Sequence, residues 1–235
     1  LLQGYFEMLG NPFSTCNAFV SAMVFDKYSC KSYLRDADFV HLAPDYLVHR
    51  GENVTEAAAR AAQRLGFPVF VKPTDGGSSF GITKVCLPED LPTAIQYAFS
   101  EGPTVIIEKA IPGREFTCAA YRDGGEVKTL PVIEIVTANE YFDYDAKYNG
   151  NSQEICPAPI PEGQSEMIRE TTRRIYSHLG CNGVVRLDYI DGPEGLYFLE
   201  ANNIPGMTSA SLVPKMVRAA GLDMTHFLST IIENA

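Results

Sequence analysis

The sequence predicts an α+β chain in which antiparallel hairpins are covered by helices, and three hairpin patterns carry that expectation. VVRLDYI and LYFLEAN alternate apolar with polar residues and are joined by the turn-rich Asp191-Gly192-Pro193-Glu194-Gly195. FPVFVKPTDGGSSFGITKV sets two strands around a Gly/Ser-rich turn, and GREFTCAAYRDGG with EVKTLPVIEIV forms the third pair. Helix-patterned stretches lie between them. At 235 residues the chain suits one large or two small domains with a substantial core.

A net charge of −10 argues against nucleic acid or an anionic membrane as the main partner, although locally placed lysines can still bind phosphates. No apolar run reaches the length of a membrane span, and the first residues lack a basic region and cleavage signature, so a soluble, cytoplasmic protein is expected. Cys16, Cys30, Cys86, Cys118, Cys156 and Cys181 show neither CxxC nor Cys/His spacing and are read as buried thiols.

In chain order, LLQGYFEML reads as a helix ended by Gly10 and followed by a short strand; opening inside a helix suggests a domain cut away upstream. Asn17 to Leu34 is helical by pattern, and Lys27 within it reads locally as a surface lysine with a buried stem. From His41 the pattern turns to strands and loops. Thr55 to Leu65 is an alanine-rich helix with Thr55 or Asn53 as N-cap and Gly66 as its stop. Val69 to Lys72 is a buried strand, followed by the turn Asp75 to Gly81 and a strand from Ile82 to Val85. That turn can fold over phosphates through backbone N–H groups and the Ser78 and Ser79 hydroxyls, with the Lys72 ammonium on the same anion; a plain glycine-rich hairpin is the alternative. It is not a Walker loop, because its lysine precedes the glycines.

Glu89 to Phe99 is a helix, and Thr104 to Lys109 a strand of the continuous apolar type. Edge backbone groups at the end of that strand can pair with a purine, and the Glu115 carboxylate suits a ribose diol. After the third hairpin, TANEYFDYDAKYNGNSQEICPAPIPEG is too aromatic for disorder and reads as a lid carrying Lys147. Ser165 to Leu179 is a helix capped by Gly180, and helices close the chain near Leu212 to Ala220 and Met224 to Asn234.

The chemistry is expected on the last hairpin. Residues two apart in a strand share a face, so Arg186 projects with Asp188, and Glu200 with Asn202. If register sets the pairs opposite each other, one wall carries two carboxylates, an amide oxygen and a guanidinium. Such oxygens suit Mg²⁺ or Mn²⁺. The same alternation also fits a solvated outer face. The loop that follows offers close backbone approach at Gly206 and hydroxyls at Ser209 and Ser211.

In this order and spacing, FVKPTDGGSSFG, IIEKAIPGREF, YFDYDAKYNG, VVRLDYI and FLEANNIPGMTSASLVPKM resemble the ATP-grasp superfamily and, within it, the D-alanine–D-alanine ligases. The likeness runs the length of the chain and lacks most of the family's amino-terminal domain. It implies a remnant of that domain at 1–26, a central ATP-grasp subdomain at 27–112 and a carboxy-terminal one at 113–235, gripping ATP between antiparallel sheets. It implies ligation of two D-alanines with ATP and two Mg²⁺ or Mn²⁺ ions, for peptidoglycan precursors, by a homodimer when full length.

By position, the resemblance assigns Lys27 and Lys72 to the ATP phosphates, Glu108, Lys109 and Ile111 to adenine, Glu115 to ribose and Lys147 to the γ-phosphate. Asp188, Glu200 and Asn202 are the implied metal ligands, and Arg186 with the Gly206 N–H the oxyanion donors. Ser78 belongs to the loop over the reacting groups and joins Tyr148 in closing the amino-acid site, while Ser211 and the Leu212 N–H bind the second carboxylate. Phe142 departs from the tyrosine of many relatives and loses a hydroxyl contact. A glutamate and a histidine of the family's first amino-acid site belong to the absent domain. The alternatives are a D-alanine–D-serine type ligase, a nucleotide-binding fragment without turnover, or a module that binds no nucleotide; Tyr148 favours an amine nucleophile over a hydroxyl.

Overall fold

The computed structural model describes residues 2–77, 80–137 and 152–235. Its order is α1 (Leu2–Leu9), α2 (Ala18–Phe25), α3 (Lys27–Leu34), β1 (His41–Leu42), β2 (Asp45–His49), α4 (Val54–Leu65), β3 (Val69–Pro73), β4 (Thr83–Val85), α5 (Leu91–Glu101), β5 (Thr104–Lys109) and β6 (Arg114–Asp123). There follow β7 (Glu126–Thr129), β8 (Ile133–Thr137), β9 (Ser152–Ile155), α6 (Glu162–His178), β10 (Val185–Gly192), β11 (Gly195–Asn202), α7 (Leu212–Ala219) and α8 (Met224–Glu233).

Among the described residues the strands form two sheets. The smaller runs β2-β5-β3-β4 and is antiparallel throughout. Its Val69, Val71, Val105 and Ile107 pack against Ala57, Ala58, Ala61 and Leu65 of α4 and Leu91, Ala94, Ile95 and Ala98 of α5. The larger runs β1-β11-β10-β6-β8-β9, with β7 also on β6; only the β1–β11 pair is parallel. Period-two alternation splits its residues between two cores. Phe116, Cys118, Val185, Leu187 and Tyr189 share one with α2, α3 and α6, whereas Ala119, Tyr121, Ile133 and Ile135 share the other with α7 and α8.

Several local expectations change. The segment 17–34 is two helices rather than one. Asp26 stands between them with extended backbone, accepts from the Ser29 N–H at 2.7 Å and bridges to Asp75, so its side chain caps the second helix. No strand follows α1, and Cys86 is exposed while Cys16, Cys30, Cys118 and Cys181 are buried. The last hairpin closes through a two-residue turn, because Gly192 pairs with Gly195. β5 is an interior strand, and the N–H groups of Lys109 and Ala110 at its end are engaged by the Pro44 and Pro68 carbonyls at 2.9 and 3.0 Å. Among the described residues, no helix is long and apolar enough to cross a membrane.

Candidate active site

A cleft of about 650 Å³ lies between the two sheets. One wall is built by β10 and β11, where Arg186 stands opposite Asn202 and Asp188 opposite Glu200. Pure alternation along β11 would send Phe198 and Glu200 to one face. The register shifts between Asp188 and Tyr189, so Tyr189 pairs with Phe198 and Leu199 is the extra residue of a bulge. Leu196 and Phe198 thereby enter the core while Glu200 and Asn202 line the cleft.

Asp188 organises this wall. Arg186 donates to it from Nε and Nη2 at 2.9 and 2.8 Å, the Thr117 hydroxyl from β6 at 2.6 Å, and Asn202 Nδ2 at 3.0 Å. Burial opposes the Arg186 charge, but Asp188, with Glu200 and Glu115 behind it, raises the guanidinium pKa above the ordinary arginine value. Since Asn202 donates through its nitrogen, its amide oxygen is left for a cation beside the Asp188 and Glu200 carboxylates. This hard-oxygen set fits Mg²⁺ or Mn²⁺. Among the described residues no group of three or more His, Cys, Asp and Glu could hold a metal, so the amide is needed to complete the set.

The facing wall comes from α3, β3 and β5. The Lys27 ammonium donates to the Gly76 carbonyl at 3.0 Å and lies 3.9 Å from Glu200, so α3 touches both sheets' sides of the cleft. Lys72 donates to Glu108 Oε2 at 2.8 Å. Burial works against the Lys72 charge, but Glu108, helped by Glu200 and Glu115, raises its pKa above the usual lysine value. Burial would likewise raise the Glu108 carboxyl pKa, yet Lys31 and Lys72 hold it well below the carboxylate range. At the far end Ser211 is the N-cap residue of α7, its hydroxyl 2.8 Å from that of Thr208. A Cβ at Gly206 would meet the Ser211 hydroxyl at 2.8 Å, so a larger residue there would displace that hydroxyl.

The family described as D-ala D-ala ligase C-terminus matches residues 34–233. A D-alanine--D-alanine ligase of Phocaeicola vulgatus is 46% identical over 236 aligned residues, covering 100% of this chain and 72% of the relative. The chain belongs to the D-alanine–D-alanine ligase family. A crystal structure of a D-Ala:D-Ser ligase from Enterococcus faecalis superposes with a TM-score of 0.89 at 35% identity, covering 99% of this chain and 67% of that one. That of a Bacillus anthracis D-alanine--D-alanine ligase complexed with ATP gives 0.82 at 32%, over 99% and 73%. These neighbours carry the ATP-grasp fold expected from the resemblance.

In this ligase-family chain Lys27, Lys72, Glu108, Lys109, Ile111, Glu115, Arg186, Asp188, Glu200, Asn202, Gly206, Ser211 and Leu212 all line the one cleft. Ser78, Lys147 and Tyr148 lie outside the described residues. Lys27 is not the surface lysine its local pattern suggests. The Glu108 carboxylate faces Lys31 and Lys72 on its two oxygens, and Lys109 Nζ donates to the Phe67 carbonyl at 2.9 Å. Sequence reasoning passed over Thr117, which shares a strand face with Glu115, and Lys31, one helical turn beyond Lys27. It also missed the ion pair between Lys215 of α7 and Glu154 of β9. Alternation from Glu115 and the four-residue spacing from Lys27 were the available signals.

Proposed function

We propose that this chain joins two D-alanines to D-alanyl-D-alanine at the expense of ATP, in the cytoplasm, for peptidoglycan precursors. The observation that carries the reading is the strand register: Arg186, Asp188, Glu200 and Asn202 face Lys72 and Lys27 across a single cleft. Lys27 and Lys72 hold the phosphates. Ile111 and the backbone near Glu108 and Lys109 meet adenine, and Glu115 meets the ribose. Two Mg²⁺ or Mn²⁺ ions on Asp188, Glu200 and Asn202 would neutralise phosphate charge during transfer. We assign Lys147 to the γ-phosphate, and Ser78 with Tyr148 to the closing of the amino-acid site.

The first D-alanine carboxylate takes the γ-phosphoryl group, giving an acyl phosphate and ADP. The amine of the second attacks the acyl carbon, phosphate leaves with the C–O bond electrons, and the ammonium proton is lost to give the amide. Ser211 and the Leu212 N–H, at the positive end of α7, hold the second carboxylate and gain rate by proximity. Arg186 uses Nε and Nη2 on Asp188, and its Nη1 with the Gly206 N–H faces the developing oxyanion, an effect of about 3 kcal/mol per donor. We keep, as part of this reading, a leading piece 1–26 and two lobes, 27–112 and 113–235, although β1 pairs with β11 in the larger sheet and α3 shares that sheet's core; the working protein is a homodimer.

The likeness to a D-Ala:D-Ser ligase favours a second reading, with D-serine as the amine donor. Incubation with Mg-ATP and equal D-alanine and D-serine, followed by mass analysis of the dipeptides, separates them. Mainly D-alanyl-D-alanine, with one ADP per dipeptide, is expected; a mainly mixed dipeptide supports the second reading, and ADP release without any dipeptide contradicts both.

A further inference from the structure

Asp45 and Glu108 stand directly opposite each other on β2 and β5, both buried. Two like charges so placed repel unless a cation lies between them. Lys31 supplies it. Its side chain is fully buried, with Nζ 3.2 Å from Asp45 Oδ2, hydrogen-bonded to the Ala43 carbonyl at 2.9 Å and ion-paired with Glu108 Oε1. Glu108 Oε2 takes Lys72 at 2.8 Å, and Arg35 reaches Asp45 at 3.3 Å from the other side. The group holds three cations, Lys31, Arg35 and Lys72, against two carboxylates. Lys31 lines no part of the cleft, whereas Lys72 and Glu108 do.

Resting on the reading that the cleft takes ATP, we infer that Lys31 is a positioning residue for the nucleotide. By occupying one oxygen of Glu108 it leaves Lys72 a single partner oxygen. Lys72 is thereby fixed in place on the wall of the cleft that it lines. Without Lys31, Glu108 and Lys72 neutralise each other, and the carboxylate is free to draw the ammonium away from the phosphates. Lys31 lies four residues after Lys27 on α3, so the same helix face orders both phosphate-directed lysines, one directly and one through Glu108.

Calorimetric titration of the full chain with Mg-ATP, beside thermal unfolding, tests this on Lys31→Met and on the double variant Lys31→Met/Asp45→Asn. The double variant removes one charge of each sign and ends the repulsion while leaving Glu108 without its second cation. We expect Lys31→Met to lower Tm and weaken ATP binding about tenfold. The double variant should regain most of the Tm and none of the affinity. Recovery of both by the double variant, or unchanged ATP affinity in either, makes Lys31 merely structural and overturns the inference. If Lys31→Met does not fold, the double variant alone decides. Absence of ATP binding in the unaltered chain would instead bring down the functional reading, and this inference with it.

Discussion

At the scale of single residues, charges are placed by neighbours that local sequence does not reveal. Glu108 lies in an apolar run, and as a lone carboxylate it would be costly to bury; Lys31 and Lys72 make it an anion that stays ionised. Its pKa is held below the ordinary glutamate value of 4.5, so its contribution to stability is fully present above that pH and is lost as pH falls through the lower, folded value. We predict that urea unfolding across acidic pH shows stability draining below about 4.5, and that Glu108→Gln, less stable at neutral pH, has a flatter acid limb. Parallel acid limbs would show that Glu108 is not the group responsible. The side chains on β10 and β11 were legible because a strand's period fixes which residues share a face. Lys31 was not, because its partners are 12 to 77 residues away in sequence.

At the scale of elements, most hairpins and helices follow from turn residues and periodicity, and the exceptions have local causes. The bulge at Leu199 reverses the faces of β11, which no apolar pattern in LYFLEAN marks. The break at Asp26 depends on its bridge to Asp75, a contact between distant segments. Gly183 shows how tightly α6 and β10 are joined to the start of the chain. It has φ +65°, and a Cβ there would meet the Ser14 carbonyl oxygen at 2.2 Å. Gly221 has φ +70° with open space around it. Gly221→Ala should therefore cost about 1 kcal/mol from backbone strain alone, and Gly183→Ala more than about 2 kcal/mol from strain and clash together. Urea midpoints compare the two; equal losses would mean that the chain near Ser14 yields freely.

At the scale of the whole molecule, the smaller sheet is covered by helices on one face and the larger carries helices on both, and each turns part of a face toward the cleft. The motifs lie far apart in sequence, yet the topology brings them to one cavity. Their order and spacing revealed the family and the wall of oxygen ligands. The union of the two sheets through α3 is set by packing between distant segments, and the register that aligns Asp188 with Glu200 by the bulge at Leu199; neither leaves a local signal. The central claim is that oxygen atoms from neighbouring strands, facing lysines on the other sheet, hold the terminal phosphates of a nucleotide through divalent cations. Calorimetric ATP binding with and without Mg²⁺, in the unaltered chain and in Glu200→Gln, tests it most directly. The account predicts that Mg²⁺ tightens ATP binding at least about tenfold in the unaltered chain and that Glu200→Gln loses most of this gain without losing the fold. An equal gain in both proteins, or no effect of Mg²⁺ in either, would contradict it.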